Sequence, residues 1–329
     1  MPACRRHWRP SLGEEVGKTE FVTISQARAF LASYLDAEPS EVALIGEGAW
    51  SRCFGFRRGD EELAIRFGHY VDDFRKDQLA SAYAAPDLPI PEVLEVGQAF
   101  DGAYAISRRA HGVPLESVSS TQWLVVVPSV VSALEAMRTT DISSTSGFGG
   151  WEADGQAPRA TWSDHLLAVG EDTPDRRTYG WRKRLSALPE GEAAFTWGLD
   201  LLKSVASDSV PRCLVHCDLI NRNVLVLVGD ERISAVFDWG CSLYGDHLYD
   251  LAWFEFWGPW IPQLNTQHLR SHLERRWREV SYAPADKAAR LMACYLHIGL
   301  DHLAYNAYLG DWSTLAATAE RMRTLVARV

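Results

Sequence analysis

His216-Cys217-Asp218-Leu219-Ile220-Asn221-Arg222-Asn223 lies between two short apolar runs, Cys213-Leu214-Val215 and Val224-Leu225-Val226-Leu227-Val228. Runs of this length, rich in β-branched residues, predict strands. A strand ending at Val215 presents Asp218 on a loop, and Asn223 opens the next strand, so both side chains can face one cavity. After a turn at Gly229-Asp230-Glu231 the chain returns as Ile233-Ser234-Ala235-Val236-Phe237 and ends in Asp238-Trp239-Gly240. A hairpin that starts at one polar side chain and finishes at another brings both to the same end of the ribbon. Asp218, Asn223 and Asp238 are thereby expected around one site.

The spacing H-x-D-x-x-x-x-N is that of a kinase catalytic loop, and it gives each residue a task. Asp218 accepts the proton of an attacking hydroxyl, while Asn223 offers a neutral oxygen and Asp238 a hard carboxylate oxygen to Mg²⁺. Upstream, Gly46-Glu47-Gly48-Ala49-Trp50-Ser51 separates two strand-like runs and resembles a glycine-rich phosphate loop with Ser51 in place of the last Gly. One strand later, Leu63-Ala64-Ile65-Arg66 matches V-A-I-K with Arg for Lys. Only five of the 33 basic residues are Lys. Arg66, whose planar fork binds phosphate oxygens, is therefore the expected cation on the nucleotide side. Asp77, on the following helix, is its candidate partner by position. Asp246 reads as a helix N-cap, and Asp250, inside an apolar stretch, needs buried donors that the catalytic-loop backbone can supply.

Around these motifs, residues 41–67 carry strand-like runs, residues 72–84 a helical stretch, and two further strands flank Asp101-Gly102. The first 110 residues are expected to form a sheet of about five strands with one helix after the third. A helical stripe over 23–35 has Ser25 as its candidate cap, and long stripes over 123–137, 191–207, 267–280 and 287–308 predict helices beyond His111-Gly112. Residues 1–20 lack periodic apolar spacing and read as a mobile extension. A chain of 329 residues, 47% hydrophobic, buries roughly three-quarters of its surface on folding and needs no staple. Its formal charge of -10 repels phosphate backbones, so nucleic acid is not an expected partner. The six scattered cysteines read as reduced thiols of a cytoplasmic protein, and Cys213, His216 and Cys217 lack a fourth zinc ligand. No membrane association is expected, since no apolar run reaches about 18 residues; the stretch 248–261 is broken by Asp250, Glu255 and Gly258-Pro259.

Together these features resemble the aminoglycoside phosphotransferase family, which shares the architecture of protein kinases. The resemblance runs from about Thr23 to Arg323. Leu88 to Leu94, Ile106 to Ala110, Thr145 to Gly149, Thr161-Trp162, Trp257 with Pro259-Trp260, and Ile298 to Asp301 point to the hygromycin branch of that family. It implies an α+β, protein-kinase-like two-lobed fold. Residues 21–110 would form a small antiparallel-sheet N-lobe for the nucleotide, and residues 111–329 a larger, mainly helical C-lobe for the catalytic loop and the antibiotic. It implies ATP as co-substrate with Mg²⁺, the nucleotide lying against Gly46, Gly48, Ser51, Arg66, Ser107, Arg108 and Ala110, with backbone at 107–112 on the adenine. The acceptor would be a small aminoglycoside whose ammonium groups need carboxylates; Asp164, Glu255 and Asp301 are candidates because they lie in or beside matching segments. The expected activity is transfer of the γ-phosphoryl group of ATP to a hydroxyl of that antibiotic. Two alternatives stay open at this point: a metabolic kinase for another amino alcohol, and a catalytically dead nucleotide-binding module, suggested by the missing Lys and third loop glycine.

Overall fold

The computed structural model describes residues 22–48, 50–230 and 232–328. The extension expected over residues 1–20 and the turn residue Glu231 lie outside the described residues. The first helix, α1 (Ile24–Leu35), is capped by Thr23, not by Ser25. The reason is local: Gln26 sits three residues after Thr23, and the two form a reciprocal capping box, with Gln26 N donating to the Thr23 hydroxyl at 3.2 Å and Thr23 N to Gln26 Oε1 at 2.8 Å.

Five strands follow, β1 (Ser40–Glu47), β2 (Ser51–Arg58), β3 (Glu61–Gly68), then helix α2 (Val71–Ala80), β4 (Val93–Ala99) and β5 (Gly102–Arg108). They pair antiparallel in the order β1-β2-β3-β5-β4, with α2 inserted after the third strand as expected. Alternation sorts the faces. Phe54, Phe56, Leu63, Ile65, Phe67, Tyr104 and Ile106 bury against Ala27 and Leu31 of α1. Cys53, Gly55, Ala64, Arg66 and Ser107 therefore point to the opposite face. There Phe74 of α2 packs on Ala103 and Ala105.

The rest of the chain is mostly helical: β6 (Val113–Pro114), α3 (Ser120–Thr139), β7 (Gly149–Gly150), α4 (Trp162–Leu167), α5 (Trp181–Leu185), α6 (Pro189–Val205), β8 (Cys213–Val215), β9 (Val224–Leu227), β10 (Arg232–Val236), β11 (Leu243–Gly245), α7 (Leu248–Trp257), α8 (Thr266–Glu279), α9 (Lys287–Leu309) and α10 (Trp312–Val326). The strands expected among these helices divide into two small sheets, β10-β9-β6 and β7-β11-β8. The two strands that bracket the catalytic loop thus belong to different sheets, and the loop bridges them. Trp123, Trp162, Trp181, Phe195, Trp239, Phe254 and Phe256 share one continuous core. Among the described residues no helix is long and apolar enough to cross a membrane.

Candidate active site

The loop between β8 and β9 is anchored from below. Asp250 of α7 is buried and its two carboxylate oxygens accept from His216 N at 3.0 Å and Cys217 N at 2.8 Å, the role the sequence suggested. Those bonds hold Cys217 in the left-handed region, φ 67, which a non-glycine residue adopts only when its surroundings enforce it. The His216 ring is fully buried. Its Nε2–H donates to Phe237 O at 3.1 Å, and its Nδ1 accepts from Asp218 N at 3.2 Å. Burial lowers its pKa to about 4, so at neutral pH it is an uncharged strut between the loop and the end of β10. Asp246 is stitched to α9: Arg290 donates to both its oxygens at 2.5 and 2.7 Å, and Leu248 N donates to Oδ1 at 2.9 Å. The helix it was expected to cap begins one residue later, with His247 in the cap position.

Asp218 faces two amides. Asn221 Nδ2 donates to its Oδ1 at 2.5 Å and Asn223 Nδ2 to its Oδ2 at 3.1 Å, while Asn223 Nδ2 also reaches Asp218 O at 2.8 Å. With Nδ2 engaged, Oδ1 of Asn223 is the atom left for a cation. Burial pushes the Asp218 carboxyl well above the usual carboxylate range, and the charge of Asp238 adds to that. The hairpin register pairs Val224 with Val236, and Phe237 N donates to Asn223 O at 3.0 Å, which sets Asp238 beside Asn223 as the spacing predicted. Asp238 is left-handed, φ 65 and ψ 63, a strained conformation of the kind found at functional sites. Its carboxylate is 45% exposed. A half-open carboxylate beside an amide oxygen is a donor set that fits Mg²⁺, which takes few protein ligands and completes its shell with phosphate and water. Among the described residues no group of three or more His, Cys, Asp or Glu side chains is placed to hold a metal by itself, so the Cys213–His216–Cys217 combination makes no site.

Arg66 reaches this cluster from β3. One terminal nitrogen pairs with Asp77 of α2 and the other stands 3.3 Å from Asp238 Oδ1. Burial opposes the charge on Arg66, yet Asp77 and Asp238 hold it firmly protonated. Asp77 Oδ1 in turn accepts from Trp239 N at 2.7 Å. Two further residues of the same helix face were not singled out from sequence. Lys76 donates to Gly240 O at 2.7 Å and Ser242 O at 3.1 Å, and burial lowers its pKa. Asp73 accepts from both terminal nitrogens of Arg177, at 2.7 and 3.0 Å. Arg177 lies 3.6 Å over the Tyr70 ring, which meets Trp50 edge-on at 5.7 Å. Residues 73, 76 and 77 share one face of a helix, and that face is pinned to the Asp238-Trp239-Gly240 segment.

Of the residues expected to meet the nucleotide, Gly46, Gly48 and Ser51 lie at the tight β1–β2 turn, where Gly48 N donates to Ser51 O at 3.0 Å. Ser107 stands opposite Ala64 in the β3–β5 ladder. Arg108 turns to the sheet edge. Its N–H goes to Glu92 O at 2.9 Å and its side chain pairs with Glu61, so its N–H is already committed. Ala110 follows Arg109, whose N–H is taken by Glu62 O at 3.2 Å. The Arg109 guanidinium crosses Gly55, where a Cβ would lie 2.9 Å from it; sequence reasoning passed over this residue. The three carboxylates proposed for the acceptor separate. Glu255 is buried and both its oxygens are bound by Arg270, at 2.5 and 2.6 Å, with Tyr295 added. It is an internal ion pair with nothing left for an ammonium group. Asp164 is exposed on α4, a helix whose Ser163 and His165 meet Asp208 and His297 rather than the catalytic loop. Asp301 is half-exposed on α9, 3.8 Å from Arg176, and the next residue, His302, lines a pocket with Ile220 and Asn221 of the catalytic loop. Trp253, Trp257, Trp260 and Ile261 complete that pocket.

Comparison with known proteins fits this geometry. Residues 64–286 match the phosphotransferase enzyme family. The hygromycin-B 4-O-kinase of Escherichia coli is 33% identical over 308 residues, 93% of this chain and 86% of that protein. A thermostable mutant of aminoglycoside phosphotransferase APH(4)-Ia, solved in a ternary complex with AMP-PNP and hygromycin B, superposes with a TM-score of 0.78 at 32% identity, covering 91% of this chain and 97% of that one. Spectinomycin phosphotransferase APH(9)-Ia shares the fold at a TM-score of 0.55 and 13% identity, over 91% and 93% of the two chains.

Proposed function

The chain belongs to the phosphotransferase enzyme family, and we propose that it transfers the γ-phosphoryl group of ATP to a hydroxyl of an aminoglycoside, with hygromycin B as the first acceptor to test. The observation that carries this reading is the convergence of Asp218, Asn223 and Asp238 at one end of the β9–β10 hairpin, with Arg66 reaching them from the sheet. A dead nucleotide-binding module has no use for a carboxylate held by two amides beside a half-open second carboxylate.

In this mechanism the acceptor hydroxyl hydrogen-bonds to Asp218. Its oxygen attacks the γ-phosphorus, the bond to the β–γ bridging oxygen breaks, and ADP departs. The hydroxyl proton passes to Asp218. Burial strengthens the hold of that carboxylate on a proton, so in its ionised form it is an effective acceptor. Asn221 and Asn223 fix the orientation of the carboxylate, which for a loose transition state matters as much as basicity. Asn223 Oδ1 and Asp238 would hold Mg²⁺, which when bound neutralises charge on the β- and γ-phosphates. Arg66, held between Asp77 and Asp238, would act on the phosphates through its guanidinium fork. Mass spectrometry of hygromycin B after incubation with enzyme, ATP and Mg²⁺ is the test, with other aminoglycosides and simple amino alcohols alongside. A single phosphoryl group on hygromycin B is the expected result; modification of another amino alcohol alone would refute the acceptor.

A further inference from the structure

The catalytic loop contains a second strained residue, and an acidic side chain from outside the loop holds it. Arg222 is left-handed, φ 67, a region that a non-glycine residue occupies only when its surroundings enforce it. Its N–H donates to Glu116 Oε1 at 2.7 Å. Glu116 sits on the short helical turn Leu115–Ser117, directly after β6. Strand pairing explains its reach. β6 runs antiparallel to β9 with Val113 opposite Val226 and Pro114 opposite Leu225, so the same register carried two residues further brings residue 116 alongside the end of the catalytic loop. The turn itself is fixed from two sides: Leu115 and Val118 are buried, and Gln263, from the segment beyond Trp260, donates through Nε2 to Glu116 O at 2.6 Å.

Two features show what the carboxylate is kept for. Its other oxygen, Oε2, is buried with no hydrogen-bond partner among the described residues, an arrangement that native proteins rarely tolerate. An apolar side chain of the same length would fill the space without that cost, so the contact made by Oε1 is what distinguishes Glu116. The second feature is where that contact falls. Arg222 separates Asn221 from Asn223, whose amides hold the two oxygens of Asp218. The backbone angle at Arg222 therefore sets the direction of one amide relative to the other, and a relaxed Arg222 would turn one of them off the carboxylate. We propose that Glu116 is a positioning residue for phosphoryl transfer, holding Arg222 in the one conformation from which Asn221 and Asn223 both reach Asp218. A bond from a backbone N–H to a carboxylate is about twice as strong as its neutral counterpart, which suits it to hold a strained residue. The proposal rests on the phosphotransferase reading above and adds to it a residue outside the catalytic-loop motif.

The test compares Glu116→Gln, which keeps an oxygen for the Arg222 N–H, with Glu116→Met, which keeps the length of the side chain and loses the acceptor. The measurements are steady-state kinetics with ATP and hygromycin B, and crystal structures of both variants. In Glu116→Met, kcat is expected to fall about 10- to 100-fold, the effect of a catalytic group held out of line, with the KM values for ATP and hygromycin B within about twofold of wild type, as for an interaction that counts only in the transition state. Its Arg222 should leave the left-handed region, and Asn221 or Asn223 should release Asp218. Glu116→Gln should keep both the loop and most of kcat. A merely structural role would move kcat and both KM values together, or the two variants alike. Turnover of Glu116→Met within about threefold of wild type, equal losses in the two variants, or a Glu116→Met structure with Arg222 still left-handed and both amides on Asp218 would overturn the proposal. If wild type leaves hygromycin B unmodified, the acceptor reading fails by itself; the crystal structures need no acceptor and still decide whether Glu116 holds the loop.

Discussion

Replacing Asp77 with Asn removes the buried partner of Arg66 without removing the acceptor for Trp239 N, since the amide oxygen can still take that bond. Deleting one member of a buried ion pair usually costs about 3–5 kcal/mol because the other charge is stranded. Here Arg66 is not stranded: Asp238 Oδ1 stands 3.3 Å away. At that separation the gross attraction is about 5 kcal/mol at an effective dielectric of about 20. Because the Asp238 carboxylate is 45% exposed, solvent takes most of this, and about 1 kcal/mol is a realistic net gain. The stability loss in Asp77→Asn should therefore fall near the low end, about 3 kcal/mol. The second consequence is functional. An Arg66 that leans on Asp238 alone competes with Mg²⁺ for the same carboxylate, and about 1 kcal/mol of extra pairing corresponds to a roughly fivefold higher Mg²⁺ half-saturation. Urea unfolding measures the first effect, and a Mg²⁺ titration of ATP-dependent turnover the second. A variant as stable as wild type with an unchanged Mg²⁺ requirement would refute the shared-carboxylate argument.

Asp218→Asn should lower turnover by about 10²- to 10⁴-fold with Mg·ATP binding nearly intact, whereas Asp238→Asn should raise the Mg²⁺ requirement as well; metal titrations of both variants decide, and a reversed pattern would exchange their roles. Arg177→Ala cuts an exposed pair, so unfolding stability should change by no more than about 1 kcal/mol. The KM values for ATP and acceptor should nevertheless both rise, because Arg177 joins the segment before α5 to Asp73 and, through Tyr70, to Trp50; steady-state kinetics that match wild type would break that link. Burial holds both His165 and His216 near a pKa of about 4, against about 6.5 in the unfolded chain. The unfolded state thus binds protons first, so stability is full above pH 6.5 and declines as pH falls toward 4, by roughly 3 kcal/mol per histidine. Urea midpoints between pH 7 and 4 test this, and the decline should flatten in His165→Asn; a slope unaltered by that substitution would remove His165 from the account.

What the sequence revealed and what it concealed follow one physical division. The hairpin placed Asn223 and Asp238 together because pairing register is a local property of two runs and a turn, and Arg66 met Asp77 because strand and helix are joined by a short connection that leaves few alternatives. Helices α3, α6, α8 and α9 showed as apolar stripes because each has a wet face. Helix α7 has none: all ten residues from Leu248 to Trp257 are buried, so the stretch has no amphipathic period, and from sequence the helix was signalled only by the cap read at Asp246. Helices α4 and α5, six and five residues long, are too short for a period to register. Glu255 was misread for a related reason. Its partners Arg270 and Tyr295 come from other helices, 15 and 40 residues away, and an acidic residue among aromatics looks the same from sequence whether it awaits a ligand or already has one. Asp73 and Lys76, on the helix face that also carries Asp77, bore a legible signal that pointed the wrong way. Charges at i, i+3 and i+4 on a helix with low hydrophobicity ordinarily mark a solvated face, yet this face is a polar contact with the segment from Asp238 to Ser242, satisfied by Arg66, Arg177, Trp239 N and the Gly240 and Ser242 carbonyls. The contrary cue was the scarcity of lysine itself. In a chain with 33 basic residues and five lysines, a Lys sharing a helix face with Asp73 and Asp77 after the Arg66 strand had more reason to be a fixed point charge than a surface one, and its two carbonyl acceptors suit a compact ammonium better than a planar guanidinium.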